Sequence, residues 1–511
     1  MLRTLRMLFR LLRIARTLAR HDALAGLEQF GVAPGLLWLL RLGARRRIEG
    51  RPGQKLARAA AALGPSFIKL GQFASTRADI LGEELATDLS ELQDRLPPFS
   101  GSEARKIVEG ELGQPIEALF GRFDLEPVSA ASIAQVQFAV ARDGTEVAVK
   151  VLRPGIERAF RRDLELFHWL AAAVEGNLPA FKRFKPVEVV RTFEAVIRIE
   201  MDLRLEAAAA QELADNFKGD ATYRVPAVDW HRTSRRVLTM ERVSGIPLDD
   251  REELLAAGHD IREILTKAAT IFFNQVFRDG FFHGDQHPGN MWVDEAGCIV
   301  AVDFGIMGRL DKKTRAFLAD MLLALLDRDY RRLAEVHIEA GYLPAGQSID
   351  LFAQALRSIG EPIFDRPLEE ISFARLLAQL LHMAESFAMP VQPQLLLLQK
   401  NMLMAEGVSR RLDPALNIWL LAQPLIEGWM REHRGPEARL RETAEQAIRL
   451  VERLPIAVTK LEAAASELAD DGLKLAPETL SALAAGNRRR GGLLLWTAVL
   501  AALGLSIAAL L

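Results

Sequence analysis

Phe282-His283-Gly284-Asp285-Gln286-His287-Pro288-Gly289-Asn290 is followed, thirteen residues after Asn290, by Asp303-Phe304-Gly305. Phosphoryl transfer needs an anionic group near the acceptor and oxygen ligands that hold magnesium against the nucleotide phosphates. Asp285 suits the first role, and Asn290 and Asp303 suit the second, since magnesium prefers carboxylate and amide oxygens. An isolated Asp-Phe-Gly would be a weak signal. The two motifs at this spacing, across a predicted β-hairpin, indicate an enzyme that uses ATP and Mg²⁺.

Two histidines in this stretch, His283 and His287, raise the alternative of a metal site. No third soft ligand lies nearby in the sequence, so structural roles are favoured. The single cysteine, Cys298, excludes an intramolecular disulfide and a cysteine-based metal cluster. It lies in the apolar run 298–302, which is typical of a buried strand thiol.

Upstream, Glu146-Val147-Ala148-Val149-Lys150 resembles the kinase strand whose lysine contacts the nucleotide phosphates. Alternation places Val147 and Val149 on one face, as a half-buried strand requires. A strand lysine alone is a weak signal until it has a partner. The predicted partner is Glu206, whose carboxylate would hold Lys150 in place as an ion pair.

The loop before this strand lacks the Gly-x-Gly-x-x-Gly pattern of protein kinases. The alanine-rich segment 129–135 stands there instead, with the sequence Ser-Ala-Ala-Ser-Ile-Ala-Gln. The Cβ of alanine hinders the close backbone approach and the positive φ angles that glycine permits. We therefore predict that this loop contacts nucleotide differently from the loop of an ordinary protein kinase. Its predicted ATP-binding residues are Ala130, Ala131, Ser132, Ile133 and Ala134.

The alanine-rich loop, together with Lys69-Leu70-Gly71-Gln72, resembles the UbiB family of atypical kinase-like proteins. That family carries a Lys-x-Gly-Gln motif, a Glu-x-Asp motif, an alanine-rich loop and kinase-type Asp/Asn and Asp-Phe-Gly elements. All of these are present in order, within residues 50–310. The resemblance implies an atypical kinase fold that binds MgATP between two lobes.

The resemblance also assigns a gating role to the N-terminal extension, which in the family folds over the active site. Lys69 and Gln72 belong to the gating motif, and Lys69 would meet the Glu-x-Asp carboxylates, here Glu200 and Asp202. Without the resemblance, Lys69 and Gln72 would be a solvated polar stripe on a helix. Glu200 and Glu206 lie six residues apart, about 240° around a helix, so they can serve two different lysines.

The function implied by the resemblance is an ATPase or kinase activity that supports ubiquinone (coenzyme Q) biosynthesis at a membrane. The implied partners are ATP, anionic membrane lipid, prenylated ubiquinone precursors and other ubiquinone-biosynthesis proteins. Two alternatives stay open. The His-Gly-Asp-x-His-Pro-Gly-Asn loop is also similar to that of aminoglycoside and choline kinases, which are small-molecule phosphotransferases. A non-catalytic, lipid-handling scaffold that binds ATP as a structural ligand is the second.

Composition and the chain ends bear on location. Half of the 511 residues are hydrophobic and the formal net charge is −2, so no nucleic-acid partner is expected. Six arginines recur at three- and four-residue intervals between Arg3 and Arg20, which suits an anionic membrane surface, with packing on its own domain as the alternative. Residues 491–511 carry no charge, span about 30 Å as a helix and follow three arginines. We expect a tail anchor in the inner membrane of a bacterium, with the globular part facing the cytoplasm.

The predicted fold class is α+β, an atypical protein-kinase-like two-lobed fold with an N-terminal helical extension and a C-terminal transmembrane helix. Its predicted divisions are a basic amphipathic membrane-surface helix (1–25), the helical extension (26–115), a kinase-like N-lobe (116–243), a helical C-lobe (244–487) and the tail anchor (488–511). Strands are predicted at 134–141, 146–152, 225–230, 236–243, 291–294 and 299–302. Helices are predicted at 155–176, 187–217 and most of 313–485, with loops at 52–53, 97–98 and 113.

Overall fold

A computed structural model describes residues 2–23, 49–75, 96–177, 185–344, 346–364 and 393–413, with a few single positions from 85 to 92, from 379 to 389 and at 424 and 428. The chain divides into two compact units, Met1–Glu427 and Gly428–Leu511, and the description concerns the first. The predicted tail anchor at 488–511 lies outside the described residues. Among the helices that the structure describes, none combines the length and apolar composition needed to cross a bilayer.

The described helices surround three small sheets. In chain order they are α1 Leu2–Arg20, α2 Pro52–Leu63, α3 Pro65–Ser75, α4 Gly101–Leu112, α5 Ile116–Leu119, α6 Ile156–Asn177, α7 Pro186–Glu200, α8 Leu203–Asn216, α9 Arg251–Ala256, α10 Ile261–Phe273, α11 Lys312–Leu326, α12 Tyr330–Glu339, α13 Ile349–Phe364 and α14 Pro393–Leu412. The strands are β1 Phe120–Phe123, β2 Ser129–Ala130, β3 Ala134–Ala141, β4 Glu146–Leu152, β5 Tyr223–Arg224, β6 Val237–Glu241, β7 Ile246–Pro247, β8 Phe281–His283, β9 Met291–Val293, β10 Ile299–Ala301 and β11 Met307–Arg309. A π-helical segment, Asn274–Asp279, continues α10.

The small lobe is built on one antiparallel sheet with the strand order β1-β3-β4-β6, to which β2 adds beside β3. The β3–β4 hairpin has the bounds predicted from the sequence, because its turn places Gly144 at φ 91°, a conformation that glycine adopts without strain. Val147 and Val149 are buried against α4, so alternation turns Lys150 to the opposite face of the sheet.

The large lobe carries the second hairpin, in which β9 pairs with β10 and Ala301 lies opposite Met291. This register continues by one backbone hydrogen bond, from the amide of Val302 to the carbonyl of Asn290 at 2.9 Å. The hairpin therefore holds Asn290 beside the residue that precedes Asp303. The prediction of strands near 291–294 and 299–302 is confirmed.

Two segments outside these lobes pack onto them. Helix α3 of the N-terminal extension sets Phe67 edge-on against Phe167 of α6, with ring centres 5.3 Å apart, and Phe73 against Phe193 of α7 at 5.4 Å. Helix α14 buries Leu412 in the core of the large lobe, where α10 and Phe304 also contribute. Both segments are therefore integral to the packing of the unit.

Three local predictions are wrong, each for a local reason. The helix predicted at 187–217 is two helices, because Asp202 caps α8 by accepting a hydrogen bond from the Arg204 amide. The strand predicted at 225–230 is reduced to a single bridge at Val228, since Asp229 accepts the amide hydrogens of the 3₁₀ turn that follows it. The loop predicted at 52–53 is the first turn of α2, where Pro52 lacks a donor that the helix would not use.

Candidate active site

Lys150 of β4 lies at the centre of the cleft between the lobes. Its Nζ is 2.7 Å from Glu206 Oε1 on α8 and 2.9 Å from Asp303 Oδ1, which follows β10. These carboxylates are 56 and 153 residues away in the sequence. Two carboxylates thus contact one ammonium, and burial raises the pKa of Glu206 above its usual range.

The electrostatic environment keeps Lys150 and Asp303 ionised. Burial alone would lower the pKa of Lys150, but the carboxylates of Asp303 and Glu206 outweigh it and raise that pKa above its usual range. The Lys150 ammonium, opposed by burial and assisted by Lys69, holds the pKa of Asp303 well below its usual range. Both groups are therefore charged at neutral pH.

Asp303 has a left-handed backbone, with φ at 62°. Aspartate and asparagine tolerate this conformation better than other residues with a side chain, and such strain concentrates at functional sites. The turn exposes the Asp303 carboxylate to the cleft and buries the Phe304 ring, which packs edge-on against His283. Phe304 thus anchors the turn and Asp303 projects from it.

His283 is fully buried and connects Asp285 with the strand that leads to Asp303. Its Nδ1 accepts the Asp285 amide hydrogen at 3.1 Å, so Nε2 carries the proton and donates to the Val302 carbonyl at 3.2 Å. Burial lowers the pKa of His283, which keeps the imidazole neutral. A structural role fits this geometry better than metal binding.

The loop after His283 is equally constrained. His287 Nδ1 accepts the amide hydrogen of Gly289 at 3.1 Å, closing the turn around Pro288. The amide of Gly284 donates to the Ile306 carbonyl at 2.8 Å, and a Cβ at position 284 would lie only 2.9 Å from the Ile306 side chain. Glycine at 284 thus allows the loop to approach the Asp-Phe-Gly segment.

Asn290 and Asp303 are suited to hold magnesium. Asn290 Nδ2 donates to the Asp285 carbonyl at 3.0 Å, so its Oδ1 can serve as a ligand to a cation. Hard oxygen donors of this kind match magnesium, which keeps several waters and nucleotide oxygens in its shell. In the described part of the chain, no cluster of three or more histidine, cysteine, aspartate or glutamate side chains could hold a metal ion. The donor set fits a magnesium ion that arrives with a nucleotide.

The alanine-rich loop is closed on itself and fixed by Arg153. The Ala131 amide donates to the Ala134 carbonyl at 2.8 Å, and the Arg153 guanidinium donates to the Ala131 carbonyl at 3.0 Å from Nε. Arg153 also donates to the Pro97 carbonyl at 2.9 Å, at the end of the extension. The remaining loop side chains are buried in the small lobe: Ser132, Ile133 and Ala134. Ala130 and Ala131 are half-buried.

The residues predicted to have a gating role separate into two groups. Lys69 Nζ lies 3.2 Å from Glu200 Oε2, and the two side chains are only 11% and 8% exposed. Asp202, the other carboxylate of the Glu-x-Asp motif, pairs with Arg204 at 2.6 Å instead. Gln72 faces the extension, where its Nε2 donates to the Leu92 carbonyl at 3.5 Å. The structure therefore joins the extension to the helices of the small lobe through Lys69 and Glu200.

Helix α14 contributes two residues that the sequence analysis missed. Lys400 Nζ lies 2.8 Å from Asp285 Oδ1. Asn401 is fully buried, donates to the His283 carbonyl at 2.5 Å and accepts the Gln286 amide hydrogen at 3.3 Å. The available signal was the polar run Gln399-Lys400-Asn401, which lies between the apolar runs 395–398 and 402–405.

Comparison with known proteins adds the following. Family models of an ABC1 atypical kinase-like domain and a UbiB helical domain match residues 91–337 and 356–417. A Marinobacter nauticus protein described as "Probable protein kinase UbiB" is 45% identical over 393 residues, 76% of this chain and 72% of that protein. One from Pseudomonas paraeruginosa with the same description is 42% identical over 458 residues, 87% of this chain and 85% of that protein. A solved structure of a Rv3197–erythromycin complex from Mycobacterium tuberculosis covers 73% of this chain and 93% of that chain at 24% identity, with a TM-score of 0.45.

The magnesium assignment predicts the effect of Asp303→Asn. Asparagine accepts the left-handed backbone at this position, so the fold should persist while the charge that binds the cation is lost. A ligand present at a hundred times its Kd stabilises a protein by about 2.7 kcal/mol, and this MgATP-dependent stabilisation should vanish. Thermal-shift titration with MgATP measures it. The matched control is Glu295→Gln, an exposed position in the turn of the same hairpin; an unchanged MgATP shift in Asp303→Asn would remove Asp303 from the site.

The Lys69–Glu200 pair predicts a double-mutant result. Lys69→Met alone leaves a buried carboxylate without its ammonium, which costs on the order of 3–5 kcal/mol. Lys69→Met combined with Glu200→Leu should recover most of this loss, because apolar residues can replace a buried ion pair. Thermal unfolding measures both. Lys185→Met is the control, since it breaks an exposed pair with Glu188 at the start of α7 and should change little. Additive losses in the double variant would contradict a buried pair.

Proposed function

The chain belongs to the UbiB family of ABC1 atypical kinase-like proteins, and we propose that it is an ATP-dependent kinase or ATPase that supports ubiquinone biosynthesis at a membrane. The observation that carries this proposal is the set of contacts around Lys150, whose ammonium lies between Glu206 and Asp303. A lysine fixed in this way is suited to contact nucleotide phosphates. The side-chain oxygens of Asn290 and Asp303 would supply ligands to the magnesium of MgATP.

In the proposed reaction, Asp285 accepts the proton of a hydroxyl acceptor or of water. The acceptor oxygen forms a bond to the γ-phosphorus, and the bond from that phosphorus to the β–γ bridging oxygen breaks, so that ADP leaves. Magnesium, when bound with the nucleotide, offsets the charge of its phosphates. His283 supports this assignment because it fixes the backbone of Asp285 from a buried, neutral position.

The extension supports a substrate other than a protein. It is joined to the small lobe by the Lys69–Glu200 pair and by the packing of α3, and Arg153 ties its end to the alanine-rich loop. A protein substrate that entered the cleft would have to separate the buried Lys69–Glu200 pair. Small or lipid-like acceptors are therefore favoured in this proposal.

Membrane association is supported by helix α1. It buries Met7 and Ala19 against the protein and pairs Arg10 with Asp163, so its basic stripe is only partly available. The opposite face exposes Phe9 by 67% and Leu12 by 59%, together with the exposed residues Arg13, Arg16 and Arg20. Exposed apolar side chains beside arginines suit an anionic bilayer surface.

We also propose that residues 488–511 anchor the chain in the inner membrane of a bacterium, with the globular part in the cytoplasm. The uncharged run after Arg488-Arg489-Arg490 supports this orientation. Full retention of the chain truncated before Gly491 on membranes in high salt would contradict the anchor, because surface binding through arginines is screened by salt.

The proposed function predicts phosphate release that depends on the membrane. The purified full chain should release phosphate from MgATP faster with vesicles containing anionic lipid and a prenylated phenol than with neutral vesicles, because the exposed face of α1 binds anionic surfaces. Asp303→Asn is the blank. Stimulation by soluble amino sugars or choline alone would favour a small-molecule phosphotransferase, and MgATP binding without any phosphate release would favour a scaffold.

The alanine-rich loop predicts that Ala130→Gly and Ala131→Gly will increase autophosphorylation. Among the described residues, positive φ angles outside glycine occur at 22, 185, 303 and 328, so this loop holds ordinary φ angles. Glycine would widen the conformational range of the loop and change its contacts with the nucleotide. We expect altered nucleotide affinity and raised autophosphorylation, measured with labelled ATP against the Asp303→Asn blank. Wild-type behaviour of both glycine variants would contradict an inhibitory loop.

A further inference from the structure

The loop at 283–290, here called the catalytic loop, contains no lysine or arginine that could pair with Asp285. Between Asp285 and Asn290 its one titratable side chain is His287, whose Nδ1 is used to accept the Gly289 amide hydrogen. The two lysines already described in the site have other partners. Lys150 pairs with Glu206 and Asp303, and Lys69 pairs with Glu200. A cation that assists Asp285 therefore has to come from another part of the chain.

Helix α14 supplies such a cation. Lys400 Nζ is 2.8 Å from Asp285 Oδ1, although the two residues are 115 apart in the sequence. The Lys400 side chain is 39% exposed and that of Asp285 is 30% exposed, so the pair faces the cleft. An ammonium carries three donors, and one contact with Asp285 leaves donors directed to solvent or substrate.

Docking of α14 does not depend on this pair. The neighbouring Asn401 is fully buried and forms two hydrogen bonds with the catalytic loop, to His283 and Gln286. Leu412 of the same helix is buried in the core of the large lobe. A part-exposed ion pair adds little stability to such an interface. Stability alone therefore gives little reason for a lysine at position 400.

We propose that Lys400 is a positioning residue for phosphoryl transfer: it fixes the Asp285 carboxylate toward the acceptor and offsets its charge against the arriving γ-phosphate. This inference rests on the proposed function, because it assigns Lys400 to the same reaction. It makes the helical domain that follows the kinase-like domain part of the active site. The helix acts on the acceptor side, whereas Lys150, Asn290 and Asp303 serve the nucleotide.

The test is a kinetic comparison of full-length variants. Lys400→Met keeps the length of the side chain and removes the charge. Its kcat for phosphate release should fall by about a hundredfold, in the range of a lost electrostatic or acid–base contribution, while the Kd for MgATP stays unchanged. Lys400→Arg should recover activity to within about tenfold of wild type, because it restores a cation that can bond the carboxylate.

The matched control is Arg411→Met, which removes another cation of α14 whose partner is Asp249, two residues before α9, and not Asp285. It should leave kcat and the melting temperature near wild type. Wild-type turnover is measured first, since its absence overturns the proposed function and the inference with it. If the wild type turns over and Lys400→Met retains its kcat, the inference alone is wrong. A fall in kcat that Lys400→Arg does not relieve, or a parallel loss of MgATP binding or melting temperature, would assign Lys400 a structural role instead.

Discussion

The ammonium of Lys150 can be buried only because two carboxylates surround it. A lysine in a largely desolvated cleft is costly unless anionic partners offset the loss of water. Glu206 and Asp303 come from distant parts of the chain, so β4, α8 and the turn after β10 stabilise the cleft only when all three are assembled. The second carboxylate, that of Asp303, is half exposed and is therefore open to a further ligand.

Local signals predicted the parts of this cleft that depend on local chemistry. The Asp143-Gly144 turn fixed a hairpin, and alternation along β4 then set the direction of Lys150. The partner Glu206 was predicted because the segment 146–150 is similar to the kinase strand that carries the phosphate-binding lysine, whereas the roles of Lys69 and Glu200 came from the family resemblance. The family itself is shown by the relatives and by the matches to the kinase-like and helical domains. The helix break at Asp202 and the turn at Asp229 were missed. In each case an aspartate side chain accepts hydrogen bonds from nearby backbone amides, and these bonds compete with a continuous helix or strand.

Lys400 and Asn401 were missed for a different reason. The residue pattern of a helix does not indicate which distant loop the helix will contact, so these two polar residues had no predicted partner. Without the family resemblance, Lys69 of the extension would also have had no predicted partner. In both cases a lysine inside a helix pairs with a carboxylate that is distant in the sequence.

The burial of Leu412 in the large lobe also determines which lobe can complete its core first during translation. The sheet of the small lobe has its last strand once the chain has been made through Glu241, and its core can close from that point. The core of the large lobe includes Val408 and Leu412, so it stays incomplete while more than a hundred residues beyond β10 are added. Exposed apolar surface during this interval is the condition in which nascent chains associate wrongly or need chaperones. Helix α14, which contacts the loop of Asp285, is thus also an element on which closure of this core depends during translation.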